Sequence, residues 1–286
     1  MEVFSKFGRL KGQWLQWSVT VKLVVVNVAI FLILRILAIV GGLSGNPSLL
    51  EASLGAVELP GSWTLLVRAP WTLLTYMFVQ FDVTHLLFNM IWLYWFGTIF
   101  TAFNLSWRLL PIYIYGGIAG ALVFLLTAGG GGCLIGSSAA ISAIVAATAM
   151  IIPNYSVQLL LIGNVKLKWI AIVTIGIDVL FVSSGGSNLG GHIAHLGGAL
   201  MGVVYALALR RGIDLAWPLK RVIEAFRALI NRPRRAPKAA TTSTEAPSQA
   251  TIDAILDKIR RSGYTSLTPA ERATLFSAGS KNSPPK

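Results

Sequence analysis

Six apolar runs, at residues 23–42, 84–103, 108–128, 137–153, 165–183 and 191–210, constrain this chain more than any other feature. A bilayer's hydrocarbon core, about 30 Å thick, is crossed by about 20 apolar residues of α-helix. Inside it every backbone N–H and C=O must be satisfied within the chain, which a helix does and an open strand does not. The runs therefore predict an all-α, polytopic bundle of six spans. The fourth run is short, with Gly136 before it and Pro153-Asn154 closing it. Composition excludes an ordinary soluble domain: 55% of residues are hydrophobic and only 12% are charged. The first run follows a basic, tryptophan-containing leader with no small-residue cleavage site, so it reads as a span and not as a removed signal. The single Cys133 excludes an intramolecular disulfide and reads as an inert buried thiol.

A net charge of +13 would suit nucleic acid, but its distribution points to a membrane. Lys6, Arg9, Lys11 and Lys22 precede the first run, Arg108 lies between the second and third, and Lys166 and Lys168 open the fifth. Arg210, Arg211 and seven more cations through Lys238 follow the sixth, and Arg68 is the exception among the remaining connections. Positive-inside bias then puts both termini in the cytoplasm and requires an even number of spans. Trp14, Trp17, Trp107, Trp169 and Trp217 fall at the same edges, where interfacial indoles belong. The expected organisation is a basic leader (1–22), a six-span domain (23–210) and a basic amphipathic helix on anionic headgroups (211–231). A disordered Pro/Ala/Thr/Ser linker (232–250) and a small helical tail (251–286) follow. In the tail, Gly263 ends one helix and a capping box from Thr268 to Glu271 opens the next.

The chain has three histidines, all inside the apolar runs. His85 opens the second, and His192 and His195 open the sixth. The serine pair of "GSSAAISAI", Ser137 and Ser138, opens the fourth. With a cytoplasmic N-terminus, these three spans all run from outside to inside, so their polar residues share one depth near the outer surface. Ionisable groups in a membrane are costly and mark a functional interior. The residue types suit acyl transfer. A serine hydroxyl becomes nucleophilic when a neighbouring imidazole takes its proton. Ser138, in a helix's first turn, adds an unpaired backbone N–H and the positive end of the dipole. His85 and Asn89, four apart, project from one helical face and could complete an oxyanion hole. Alanines along the fourth run and Gly198-x-x-x-Gly202 in the sixth let those two backbones approach closely. The plainer readings make Ser137 a cap or spacer, and His192 an interhelical hydrogen-bond partner or a lining of the entrance. Asp178, in the fifth run, reads as a structural hydrogen-bond partner or a third catalytic member. Arg35 snorkels or pairs with an acid such as Asp178.

At these residues the chain resembles the rhomboid family of intramembrane serine proteases, over roughly residues 20–210. "HLLFN" looks like the family's H-x-x-x-N, "GSSA" like its G-x-S-x, and "AHLGGALMG" like its A-H-x-x-G-x-x-x-G. The resemblance implies Ser138 as nucleophile, His195 as general base, and His85 and Asn89 with Ser138 as oxyanion residues. Gly136, Gly198, Gly202 and His192 support them. It implies a dyad without a carboxylate and without metal or cofactor. Transmembrane proteins would enter past span five and be cut near their outer membrane boundary. The tail is similar to an extension on some bacterial rhomboids, which implies a multi-pass protein of the bacterial inner membrane. Differences from the family pattern are Ala139 for a second glycine, Ser142 for an aromatic residue, Thr72 after Trp71, and Thr101 for a glutamate. Two alternatives stand beside this reading: an inactive rhomboid-like binder of transmembrane helices, and a transporter or metal site using His85, His192 and His195. Zinc sites usually add a carboxylate or thiolate to such a set. Neither substrate identity nor oligomeric state is implied.

Overall fold

A computed structural model describes residues 14, 16–46, 48–80, 82–159, 163–184, 188–230 and 248–280. Most of the leader and nearly all of the linker lie outside the described residues. Ser18 starts the first span, α1 (Val19–Leu43), its hydroxyl accepting from the Val21 N–H at 3.2 Å. α1 therefore begins four residues before the boundary drawn from hydropathy alone and takes in Lys22, because the cap and not the apolar run sets where a helix begins.

The connection from α1 to the second span is not a bare loop. It carries α2 (Ser48–Gly55), β1 (Leu59–Pro60), α3 (Trp63–Arg68), α4 (Thr72–Thr75) and a 3₁₀ turn at Tyr76–Phe78. Its last part is tied into the bundle: the Tyr76 hydroxyl donates to the Gly117 carbonyl at 2.6 Å. Asp82 then caps α5 (Val83–Phe103), accepting from the His85 N–H at 2.8 Å. The remaining spans are α6 (Leu109–Thr127), α7 (Ser138–Ile151), α8 (Leu167–Ser184) and α9 (Leu189–Arg210), with β2 (Cys133–Leu134) between α6 and α7. A short hairpin, β3 (Ser156–Leu159) with β4 (Gly163–Lys166), joins α7 to α8.

Among the described residues the bundle is all-α apart from two small strand pairs. Five of its helices have the length and apolarity to cross a bilayer. The sixth, α7, has 14 residues and rises only about 21 Å, so one of its ends must lie within the apolar thickness. It is the buried centre: Ala140, Ala143, Ile144 and Ala147 are fully enclosed. Small residues permit this. A methyl added to Gly198 would run into the Ala139 carbonyl, and one added to Gly202 into the Ala143 carbonyl. From the other side, Gly116 and Gly120 of α6 meet Ala143 and Ala139. Such close backbone approach supplies the dispersion that holds helices together in lipid.

β1 pairs antiparallel with β2, and the Gly61 N–H donates to the Gly132 carbonyl at 2.9 Å. This clamps the first connection against the glycine-rich segment that leads into α7. Cys133 is exposed in β2 and not buried as expected, because the pairing there is too short to cover it. Partial burial of the sulfur and the nearby Glu58 carboxylate still push the thiol up to about 11, so it is inert at neutral pH.

Where α6 begins and α7 and α9 end, cations and indoles gather. Arg108 pairs with Asp214 at 2.9 Å, Lys220 sits over the Trp107 ring, and Arg210 donates to the Met150 carbonyl. There α10 (Ala216–Ile230) begins, exposing Trp217, Val222 and Phe226 beside Arg221. Its pattern is that of a helix lying in an interface.

A second compact unit begins at Arg227. Within it Ser248 caps α11 (Gln249–Ser262), so the helix starts inside the stretch read as linker. Gly263, at φ +77°, ends it. α12 (Pro269–Ser280) opens on reciprocal bonds, Thr268 N–H to Glu271 Oε2 at 2.7 Å and Glu271 N–H to Thr268 Oγ1 at 3.3 Å. Lys258, 2.8 Å away, and then Thr268 hold the Glu271 carboxyl at about 2.

Candidate active site

Ser138 is the first residue of α7, and the turn before it admits little freedom. Gly136 has φ +123°, a conformation that favours glycine, and its N–H donates to the Tyr76 carbonyl at 3.0 Å. A Cβ on Gly136 would lie 2.8 Å from His85 Cε1 and 3.6 Å from Ser138 Oγ. The histidine ring of α5 and the serine hydroxyl of α7 thus converge on a place that only glycine leaves open. Ser137 occupies the cap position, but its side chain does not bond the helix; it accepts from Gln80 Nε2 at 3.0 Å instead.

His195 lies one turn before Gly198, where α9 presses on Ala139. That contact brings it to the mouth of α7. Ser138, His195 and Asn89 line one cavity of about 250 Å³. Its walls include Phe88 and Trp92 from α5, and Thr174 and Asp178 from α8. His85 stands behind Gly136 and is not among the residues lining that cavity.

Asp178 faces both histidines of α9. Its Oδ1 lies 2.8 Å from His192 Nδ1 and 2.9 Å from His195 Nδ1. The His192 ring stacks on Phe181, centroids 4.7 Å apart and nearly parallel, and meets the His195 ring edge-on. Of the two readings of Arg35, the pairing with Asp178 is corrected here: the carboxylate engages the histidines, and the Arg35 guanidinium lies 4.9 Å from the Phe31 ring centroid. Among the described residues Asp178, His192 and His195 are also the group that could hold a cation, with ligating atoms within 4.8 Å of one another. The His85 of the metal alternative is not in it, and Asp178 takes its place.

A second constellation escaped the sequence reading. Asn89 Nδ2 donates to Gln80 Oε1 at 2.7 Å, and Gln80 Nε2 donates to Asn27 Oδ1 at 2.9 Å as well as to Ser137. Asn27 Nδ2 donates to the Leu23 carbonyl, and it also reaches the Tyr113 hydroxyl, which donates to the Met77 carbonyl. Gln80 and Asn27 are buried, so this network is worth more than its exposed counterpart would be. It fixes the Asn89 amide and the residue beside Ser138 through a single side chain, Gln80. One Asn89 N–H is spent on Gln80, which leaves the other for the cavity. The signal in the sequence is two neutral amides, Asn27 inside the first apolar run and Gln80 just before the second.

The residues that differ from the family pattern have local roles. Ser142 lines the cavity. Trp71 donates from its indole to the Ala56 carbonyl at 2.8 Å, and the Thr72 hydroxyl to the Ala69 carbonyl at 2.7 Å. Thr101 bonds the Gly97 carbonyl at 2.9 Å.

Residues 67–212 match the family described as Rhomboid domain, and residues 243–277 match a family of unknown function (DUF6576). The chain is also similar to "RHOMBOID-like protein 12, mitochondrial" of Arabidopsis thaliana, at 30% identity over 158 residues. That match covers 49% of this chain and 47% of the relative, so the chain spans about half the length of the curated protein it matches. The Rhomboid-domain match takes in all five long spans but the first, together with the short buried helix and the cavity between them. This integral multi-pass membrane protein belongs to the rhomboid family.

Proposed function

We propose that the protein is an intramembrane serine endopeptidase with Ser138 as nucleophile and His195 as general base. The observation that carries this reading is that a helix-first serine and an imidazole, from two closely packed helices, line one cavity with an amide donor. Ser138 Oγ attacks the scissile carbonyl carbon while its proton passes to His195 Nε2. The oxyanion accepts from the first-turn N–H of α7 and from Asn89; His85, outside the cavity lining but with its ring converging with Ser138 on Gly136, is the third donor. Collapse expels the amine, which takes the proton from His195, and leaves an acyl-serine. Water then loses a proton to His195, attacks the ester, and the proton returns to Ser138 Oγ. No metal or nucleotide is needed for these steps.

The basic end of the bundle faces the cytoplasm, so the cavity opens toward the outer leaflet. This orientation, with the tail's likeness to bacterial rhomboids, supports our reading of a bacterial inner-membrane protein with both termini cytoplasmic. A transmembrane substrate enters between α5 and α8. Of the five long spans α8 is held least, with 11% of its apolar window buried against 39% for α5 and 56% for the span containing α6. The test is cleavage of a single-span model protein by the purified full chain in liposomes, with fragment masses read by mass spectrometry. One cut near the outer boundary of the span, blocked by a fluorophosphonate, is the expected result. No cut in any of several spans, with no serine labelled, would leave a helix-binding protein instead.

The Asn89 donor acts on charge that exists only in the transition state. Asn89→Ala should lower kcat by about 10- to 1,000-fold with little change in KM. A rise in KM at constant kcat would mean that Asn89 holds substrate.

A further inference from the structure

We infer that Asp178 is a positioning residue for His195, so that the site works as a serine, a histidine and a carboxylate in series. This rests on the proposed peptidase reading. An ionised carboxylate only accepts hydrogen bonds, so the 2.9 Å contact from Asp178 Oδ1 puts the proton of a neutral His195 on Nδ1. The lone pair then resides on Nε2, the nitrogen left to take a proton from Ser138. Without the carboxylate the ring can hold its proton on either nitrogen and rotate between them, and one of the two tautomers cannot act as the base. When the proton arrives during attack, the imidazolium forms beside a carboxylate, which stabilises it where water is scarce.

His192 makes the arrangement rigid. Its Nδ1 donates to the same Asp178 oxygen at 2.8 Å, and its ring is pinned against Phe181. The carboxylate is thus clamped by a fixed ring on one side and presented to His195 on the other. Among the described residues the ionisable groups around His195 are Asp178 from α8, His192 from its own helix and His85 from α5, while α7 contributes none. Asp178 is the single anion among them, so orientation of the base falls to it.

A purely structural tie between α8 and α9 would use the same atoms, and the experiment must separate the two. Asn is nearly isosteric with Asp and can still bond both rings, but its NH₂ donates to Nδ1 and so favours the wrong tautomer. The full chain in liposomes is treated with a small fluorophosphonate, which reaches Ser138 without needing α8 to open for a substrate. Wild-type protein should be labelled at Ser138. Absence of both labelling and cleavage in wild type would end the peptidase reading itself, whatever Asp178 does. Given labelling, Asp178→Asn should slow it by about 100- to 10,000-fold at an unchanged melting temperature. In cleavage assays kcat should fall with KM nearly constant, and Asp178→Glu should recover most of the rate. A wild-type labelling rate in Asp178→Asn, or a loss confined to KM, would overturn the inference. Nitrogen NMR of ¹⁵N-histidine-labelled wild type tests it without any variant having to fold. His195 must show a protonated Nδ1 and a bare Nε2 at neutral pH, and the opposite tautomer refutes the role.

Discussion

Ser138→Ala should abolish fluorophosphonate labelling and reduce proteolysis by about 10⁶-fold, the scale on which serine peptidases respond to loss of the nucleophile. The fold should survive. The side chain faces the cavity and is not enclosed, and alanine is a better helix former than serine. The informative control is one residue away. Ser137 is fully buried and accepts from Gln80, so Ser137→Ala removes one bond from the network that fixes Asn89. It should reduce the rate modestly and leave the probe adduct on Ser138. Peptide mapping of the labelled protein decides between them: an adduct on Ser137 would shift the nucleophile by one residue.

The helices of the bundle were legible because lipid leaves so few options. A 20-residue apolar run has one way to satisfy its backbone, and even the short α7 announced its ends through Gly136 and Pro153. What did not show was structure stabilised from a distance. The 3₁₀ turn at Tyr76–Phe78 exists because Tyr76 bonds Gly117, 41 residues on, and no local periodicity encodes that. β1 and β2 are two residues each, too short for any alternation to register. The same division holds at the site. His192 and His195, three apart, share a helical face by arithmetic alone. Asp178 reaches them only because α8 returns antiparallel to α9, so its partner could not be chosen from sequence, and Arg35 was as reasonable a candidate. Gln80 and Asn27 are hidden for a different reason: a lone amide in or beside an apolar run names no partner, yet its burial obliges it to find one.

His195→Ala should cost about as much as Ser138→Ala, and combining the two should cost no more than either alone, because nucleophile and base act as one unit. Alanine cannot accept the serine proton, so the hydroxyl remains a poor nucleophile and probe labelling should vanish with proteolysis. His192→Ala should behave differently. It removes the ring that clamps Asp178 and the stack on Phe181, but leaves His195 its own 2.9 Å bond to the carboxylate. A reduced but measurable rate is therefore expected, with Ser138 still labelled. The comparison also discriminates against metal chemistry, since among the described residues Asp178, His192 and His195 are the three groups that could share a cation. A metal centre needs all three ligands alike, so both histidine variants would collapse together, chelators would silence wild type, and added zinc would restore it. Unequal losses at the two histidines, insensitive to chelator, require instead that one imidazole moves protons and the other holds the carboxylate that orients it.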